Sequence, residues 1–107
     1  MNKEHTEKLF NDFPEIFKDR NKPVTESLMA FGFECPDRWF DIIYDGCKKM
    51  RAYVDHTGVD CTAVQVKEKY GGLRFYLQTY EDVLDKIISE METQVDTLEH
   101  EYRNKST

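Results

Sequence analysis

A chain of 107 residues with a formal charge of −6 and 34% charged residues is long enough for one domain with one buried core. Seven Phe, six Tyr and Trp39 supply apolar volume for that core and exclude a wholly disordered chain. No apolar run approaches the roughly 18 residues of a membrane span, no signal-peptide core is present, and the acidic balance argues against direct binding to duplex nucleic acid.

Cys35, Cys47 and Cys61 are odd in number, widely spaced and without a Cys-x-x-Cys pair, so free thiols in a reducing cytoplasm are expected. His5, His56 and His100 show no ligand spacing, and neither a metal nor a cofactor is expected. The charge is uneven. Residues 1–80 hold thirteen acidic and twelve basic residues, a balance of −1, whereas residues 81–107 hold eight and three, a balance of −5.

In chain order, residues 1–35 read as an N-terminal helical or irregular segment. Leu9, Phe10, Phe13, Ile16 and Phe17 stand at helical spacing, interrupted at Pro14, and the polar stretch 19–27 around Pro23 reads as a loop. The apolar run 28–35 reads either as a short strand or as an extended segment laid on the core. A helix over 36–56 follows, with Asp37 as its N-cap and Trp39, Ile43, Cys47, Met50 and Val54 along one stripe. Cys47 falls on that stripe and reads as core.

Residues 62–79 read as a β-hairpin around Gly71-Gly72. That register sets Tyr70 against Leu73, Lys69 against Arg74, Glu68 against Phe75, Lys67 against Tyr76 and Val66 against Leu77. Alternation places Val64, Val66, Tyr70, Leu73, Phe75 and Leu77 on the core face, with Glu68 anomalously among them. A carboxylate there needs a partner, a raised pKa or an exposed place near the turn. The opposite face carries Lys67, Lys69, Arg74 and Tyr76, a solvated surface or a grip for an anion with an aromatic platform.

A long acidic helix is expected over 80–104, with Thr79 as its N-cap. Leu84, Ile88, Met91, Val95, Leu98 and Tyr102 form a heptad seam. About 23 helical residues span roughly 35 Å, against roughly 26 Å for a strand of about eight, so the helix should overhang the hairpin. Val95, Leu98 and Tyr102 then need cover from the N-terminal helix, a second copy of the chain, or a partner. The expected architecture is α+β: an antiparallel hairpin, possibly extended by a third short strand, packed on a central helix and the long C-terminal helix.

The segments Phe31-Gly32-Phe33-Glu34-Cys35-Pro36-Asp37-Arg38-Trp39-Phe40-Asp41-Ile42-Ile43 and Val64-Gln65-Val66-Lys67-Glu68-Lys69-Tyr70-Gly71-Gly72-Leu73-Arg74-Phe75-Tyr76 resemble a family of small phage and prophage proteins, over roughly residues 28–80. Members often continue into a cysteine-rich tail suggestive of a metal site. This chain departs from them with an acidic, cysteine-free helix. The resemblance implies a viral or mobile-element origin and an accessory role, and assigns no catalytic residue.

Three functional classes follow. A non-enzymatic inhibitor of a host protein, such as a nucleic-acid-binding defence complex (an anti-CRISPR role), would use the acidic helix as its working surface, with Glu90, Glu92, Val95, Asp96, Leu98, Glu99 and Tyr102 as its contacts. That helix also offers a route to a homodimer. A sequestrant of a small phosphorylated ligand would instead grip it with Lys67, Lys69, Arg74 and Tyr76. An enzyme would have to use Glu68, His56, Asp55 or Cys61, which form no recognisable acid–base or nucleophile motif, so no catalytic residue is assigned.

Overall fold

The computed structural model describes residues 1–23 and 25–105; Val24, inside the expected 19–27 loop, and the last two residues lie outside it. Helix α1 (Lys3–Asp12) starts where the Asn2 carboxamide accepts the His5 N–H at 2.8 Å, and ends before Pro14. The chain then turns through Phe13, Ile16 and Phe17, all buried.

The 28–35 run divides. Ser27 Oγ accepts the Met29 N–H, and Leu28–Phe31 winds into a 3₁₀ turn that Gly32 closes at φ +71°. Only Phe33–Glu34 becomes strand, β1, running parallel to β2 (Ala63–Lys69) with Phe33 beside Val66 and Glu34 beside Lys67. The third strand is therefore present, in mixed rather than purely antiparallel pairing, and the order is β1-β2-β3 with β3 at Gly72–Leu77.

A 3₁₀ turn over Asp37–Trp39 leads into α2 (Phe40–Thr57). Asp37 does not cap this helix as its sequence position suggested. Its Oδ1 accepts the Asn2 N–H at 3.0 Å and pairs with His5 Nδ1 at 2.8 Å, so the carboxylate fastens the start of α1 instead. The His5 ring stacks on Phe40, centroids 3.9 Å apart. Gly58 ends α2 at φ +76°, donating its N–H to Val54 O at 2.8 Å, a left-handed cap of the kind glycine supplies without a Cβ penalty.

The hairpin turns one residue earlier than the Gly-Gly pair suggested. Tyr70 at φ +56° and Gly71 at φ +82° are the central residues, and Lys69 faces Gly72. Two successive positive φ angles are what a type I′ turn demands. Glu68 Oε1 accepts the Gly71 N–H at 3.0 Å and ties the turn. Val66 now faces Phe75, Glu68 faces Leu73 and Lys67 faces Arg74. The partners differ from the expected ones, but the strands have slid by two residues, which returns each side chain to the same face. Val66, Leu73 and Phe75 are therefore buried as expected. Tyr70 leaves the core face and is 92% exposed, and Val64, an extra residue between Ala63 and Gln65, is half-buried at a bulge.

Helix α3 (Asp82–Lys105) also starts later than expected. Glu81, not Thr79, caps it: Oε2 accepts the Leu84 N–H at 2.9 Å while Oε1 accepts the Tyr53 hydroxyl at 2.8 Å. The α2 stripe of Trp39, Ile43, Cys47 and Met50 is fully buried, and Leu84, Ile88, Met91 and Val95 of α3 complete the core with it. The two helices meet at Gly46, where an added Cβ would lie 2.3 Å from Met91 Sδ. Phe10 and Phe17 close the other side, packing on Phe33 at centroid distances of 5.2 and 5.1 Å. No helix among the described residues is long and apolar enough to cross a membrane.

Candidate interaction surfaces

The expected contact residues of α3 divide between inside and outside. Val95 is fully buried, and Leu98 is half-buried against the core, so the overhang is covered within the chain. Part of the cover comes from the 3₁₀ turn that leads into α2. Glu99 points inward and is 8% exposed. Its carboxylate accepts Arg38 Nε at 2.7 Å and Arg38 Nη2 at 2.6 Å, and Trp39 Nε1 at 3.0 Å. The Arg38 guanidinium, with the indole N–H adding to it, holds the Glu99 carboxyl below the usual glutamate range. Tyr102 is half-exposed, and the Arg38 guanidinium lies 4.0 Å from its ring centroid.

Val95 and Glu99 are thus committed to the fold and are not offered to a partner. Most of the heptad seam packs on α2 and the sheet, with Tyr102 at its exposed end. Sequence reasoning missed the Arg38–Glu99–Trp39 lock; its one signal is that Glu99 stands four residues after Val95, on the apolar side of the helix.

Glu90 and Asp96 are exposed and Glu92 is half-buried. Among the described residues none of Asp82, Asp85, Glu90, Glu92, Asp96 and Glu101 forms a salt bridge. Partial burial raises the Glu92 pKa, with Asp85 and Asp96 adding to the rise and Arg74 opposing it. A Cβ on Gly72 would lie 3.2 Å from Arg74 Nη1 and 3.5 Å from Asp96 Oδ1, so glycine there lets the arginine and the acidic helix approach the strand closely.

The basic hairpin face keeps its members in a different arrangement. Lys67 and Arg74 are the cross-strand neighbours, replacing the expected Lys69 and Arg74, and neither forms a salt bridge among the described residues. Arg74 Nη1 donates to Leu73 O at 2.9 Å. Lys69 sits at the turn with Nζ 5.6 Å from the Tyr70 ring centroid, and Tyr76 is 41% exposed. The face therefore presents Lys67, Arg74 and Tyr76, with Lys69 drawn toward the tip.

Of the four side chains an enzyme would have needed, Cys61 and Glu68 are set apart along the chain. Asp55 and His56 are exposed at the end of α2, and Glu68 is exposed and bonded to the turn, which answers its anomalous position. Cys61 is buried seven residues before Glu68, about 23 Å along an extended strand. Cys35, Cys47 and Cys61 are free and buried. Burial pushes the Cys35 and Cys61 thiols up to about 11 and raises Cys47 as well, with Asp37 and Asp60 adding to the rise at Cys35 and Cys61 respectively. No group of three or more His, Cys, Asp or Glu among the described residues is arranged to hold a metal ion. Compared with protein-family models, curated proteins and solved structures, the chain finds no match.

Proposed function

We propose that this chain is a small phage-type accessory protein that acts without catalysis, by engaging a basic surface of a host protein through the outer face of α3. A nucleic-acid-binding defence complex is the natural target class, since its cationic groove is built for a string of anions. One observation carries the reading. Once Val95 and Glu99 turn inward, the remaining surface of α3 retains Asp82, Asp85, Glu90, half-buried Glu92, Asp96 and Glu101, spread over both flanks, with only Lys86 among them before Arg103. An excess of surface carboxylates of this kind is a long-range attractor for a cationic partner, and the attraction weakens with salt. The contact set is then Glu90, Glu92 and Asp96, with Leu98 and Tyr102 at its inner margin.

The test is affinity capture from host lysate with the wild-type chain and with Glu90→Lys/Asp96→Lys, followed by binding of the recovered protein at several salt concentrations. A partner retained by wild type, lost to the double reversal and weakened by salt supports the reading; one indifferent to both removes it. The second reading, a sequestrant of a small phosphorylated ligand, rests on the like-charged pair Lys67 and Arg74 beside Tyr76. It requires a thermal midpoint that rises with added phosphate compounds and ceases to rise in Arg74→Ala.

A further inference from the structure

Between β3 and the start of α3 lies a slot of about 200 Å³, lined by Phe75, Tyr76, Tyr80, Glu81, Asp85 and Ile88 among others. Sites for drug-sized ligands occupy roughly 300–1,000 Å³, so this slot is sized for one long side chain rather than a small molecule. Its chemistry is one-sided. No Lys, Arg or His lines it. Tyr76 and Tyr80, 41% and 75% exposed, are among its lining residues, and Phe75 and Ile88 are apolar and buried.

Two carboxylates complete the lining. Glu81 accepts one hydrogen bond on each oxygen, from Tyr53 and Leu84, which leaves lone pairs on both. Asp85 is exposed and in no salt bridge among the described residues. Asp82, the main cause of a raised Tyr80 pKa, adds a third negative charge nearby. The N-terminal end of α3 carries only about half a positive charge, which these carboxylates outweigh.

We infer that the slot receives a cationic side chain of a protein partner, an arginine guanidinium in preference to a lysine ammonium. A planar guanidinium stacks on tyrosine faces and meets a carboxylate through two parallel N–H donors, whereas an ammonium offers a point charge and keeps its water more strongly. The inference deepens the proposal that α3 meets a basic surface, and rests on it: it specifies where on that surface one residue inserts.

The test is a ¹⁵N–¹H titration of the full chain with acetyl-Gly-Arg-Gly-amide, its lysine counterpart, and its citrulline counterpart, which keeps the shape and loses the charge. The arginine peptide is expected to shift the Tyr80, Asp85 and Ile88 amides saturably at millimolar concentration. The lysine peptide should be weaker and the citrulline peptide without effect. Asp85→Asn and Tyr80→Ala, both at exposed positions that leave the core intact, should each weaken the arginine response about fivefold. An equal response to citrulline, shifts confined to Glu90–Asp96, or no response at all overturns the slot. The two proposals separate cleanly. A captured partner lost to Glu90→Lys/Asp96→Lys but indifferent to Asp85→Asn keeps the α3 surface and removes the slot. A slot that binds arginine while the reversal leaves every captured protein in place keeps the slot and removes the α3 surface.

Discussion

Replacing Tyr70 with asparagine is expected to stabilise this protein. Tyr70 holds φ at +56°, where a bulky L-residue sets its Cβ against the carbonyl oxygen at a cost of roughly 1–2 kcal/mol. Asparagine tolerates that region far better and suits a type I′ turn. Little is lost in exchange: the ring is 92% exposed, and its cation–π contact with Lys69, at 5.6 Å, lies near the limit of such interactions. The net gain should be about 1 kcal/mol. For 107 residues the unfolding entropy is about 0.22 kcal/mol/K, so the midpoint should rise by about 4 °C. Differential scanning calorimetry and urea unfolding on wild type, Tyr70→Asn and Tyr70→Ala measure it. Alanine shares the steric penalty, so Tyr70→Ala should gain nothing. A Tyr70→Asn chain no more stable than Tyr70→Ala would show that the turn is not strained and refute the reasoning.

Glu99→Ala should cost about 3 kcal/mol, because the buried Trp39 N–H loses its acceptor while Arg38 is open enough to find water. Since the folded pKa of Glu99 lies below its unfolded value of about 4.3, its contribution is complete above that pH and is lost as the pH falls through the folded value. Urea unfolding from pH 7 to 3 should show a steeper acid loss in wild type than in Glu99→Gln, and parallel curves would count against the lock. Gly46→Ala forces Met91 aside in a closed core and should lose about 1 kcal/mol net of the better helix propensity of alanine; a stabilised variant in thermal melts would mean that Met91 repacks freely. All three thiols should resist a disulfide reagent at pH 8 in the native chain and react fully in denaturant; a native thiol reacting at the denatured rate would contradict its burial.

The long-range features most legible beforehand were those with a strong period. The α2 stripe and the α3 seam repeat over four turns or more, so the apolar side of each helix is set regardless of where the helix begins. The hairpin faces were legible for a related reason: a slide of two residues preserves alternation, and so burial of Val66, Leu73 and Phe75 survived a wrong register. The cap positions were not legible. Asp37 and Thr79 both carry the right chemistry to start a helix, but Asp37 is taken by Asn2 and His5 from thirty-odd residues away, and Glu81 is fixed by Tyr53 across the core.

Of the candidate surface, the amino-acid sequence alone determined its sign. A charge of −5 on the last 27 residues belongs to the α3 segment in any fold that keeps the helix. Which carboxylates face outward was decided by tertiary structure, because Glu99 and Glu101 are two residues apart in one acidic helix and only Glu99 meets Arg38 and Trp39. The slot is likewise a tertiary object: Phe75 and Tyr76 come from a strand, Asp85 and Ile88 from a helix, and the turn between them brings the two together. Periodicity is local and can be read along the chain, whereas a pairing between distant residues depends on the packed core that brings them into reach.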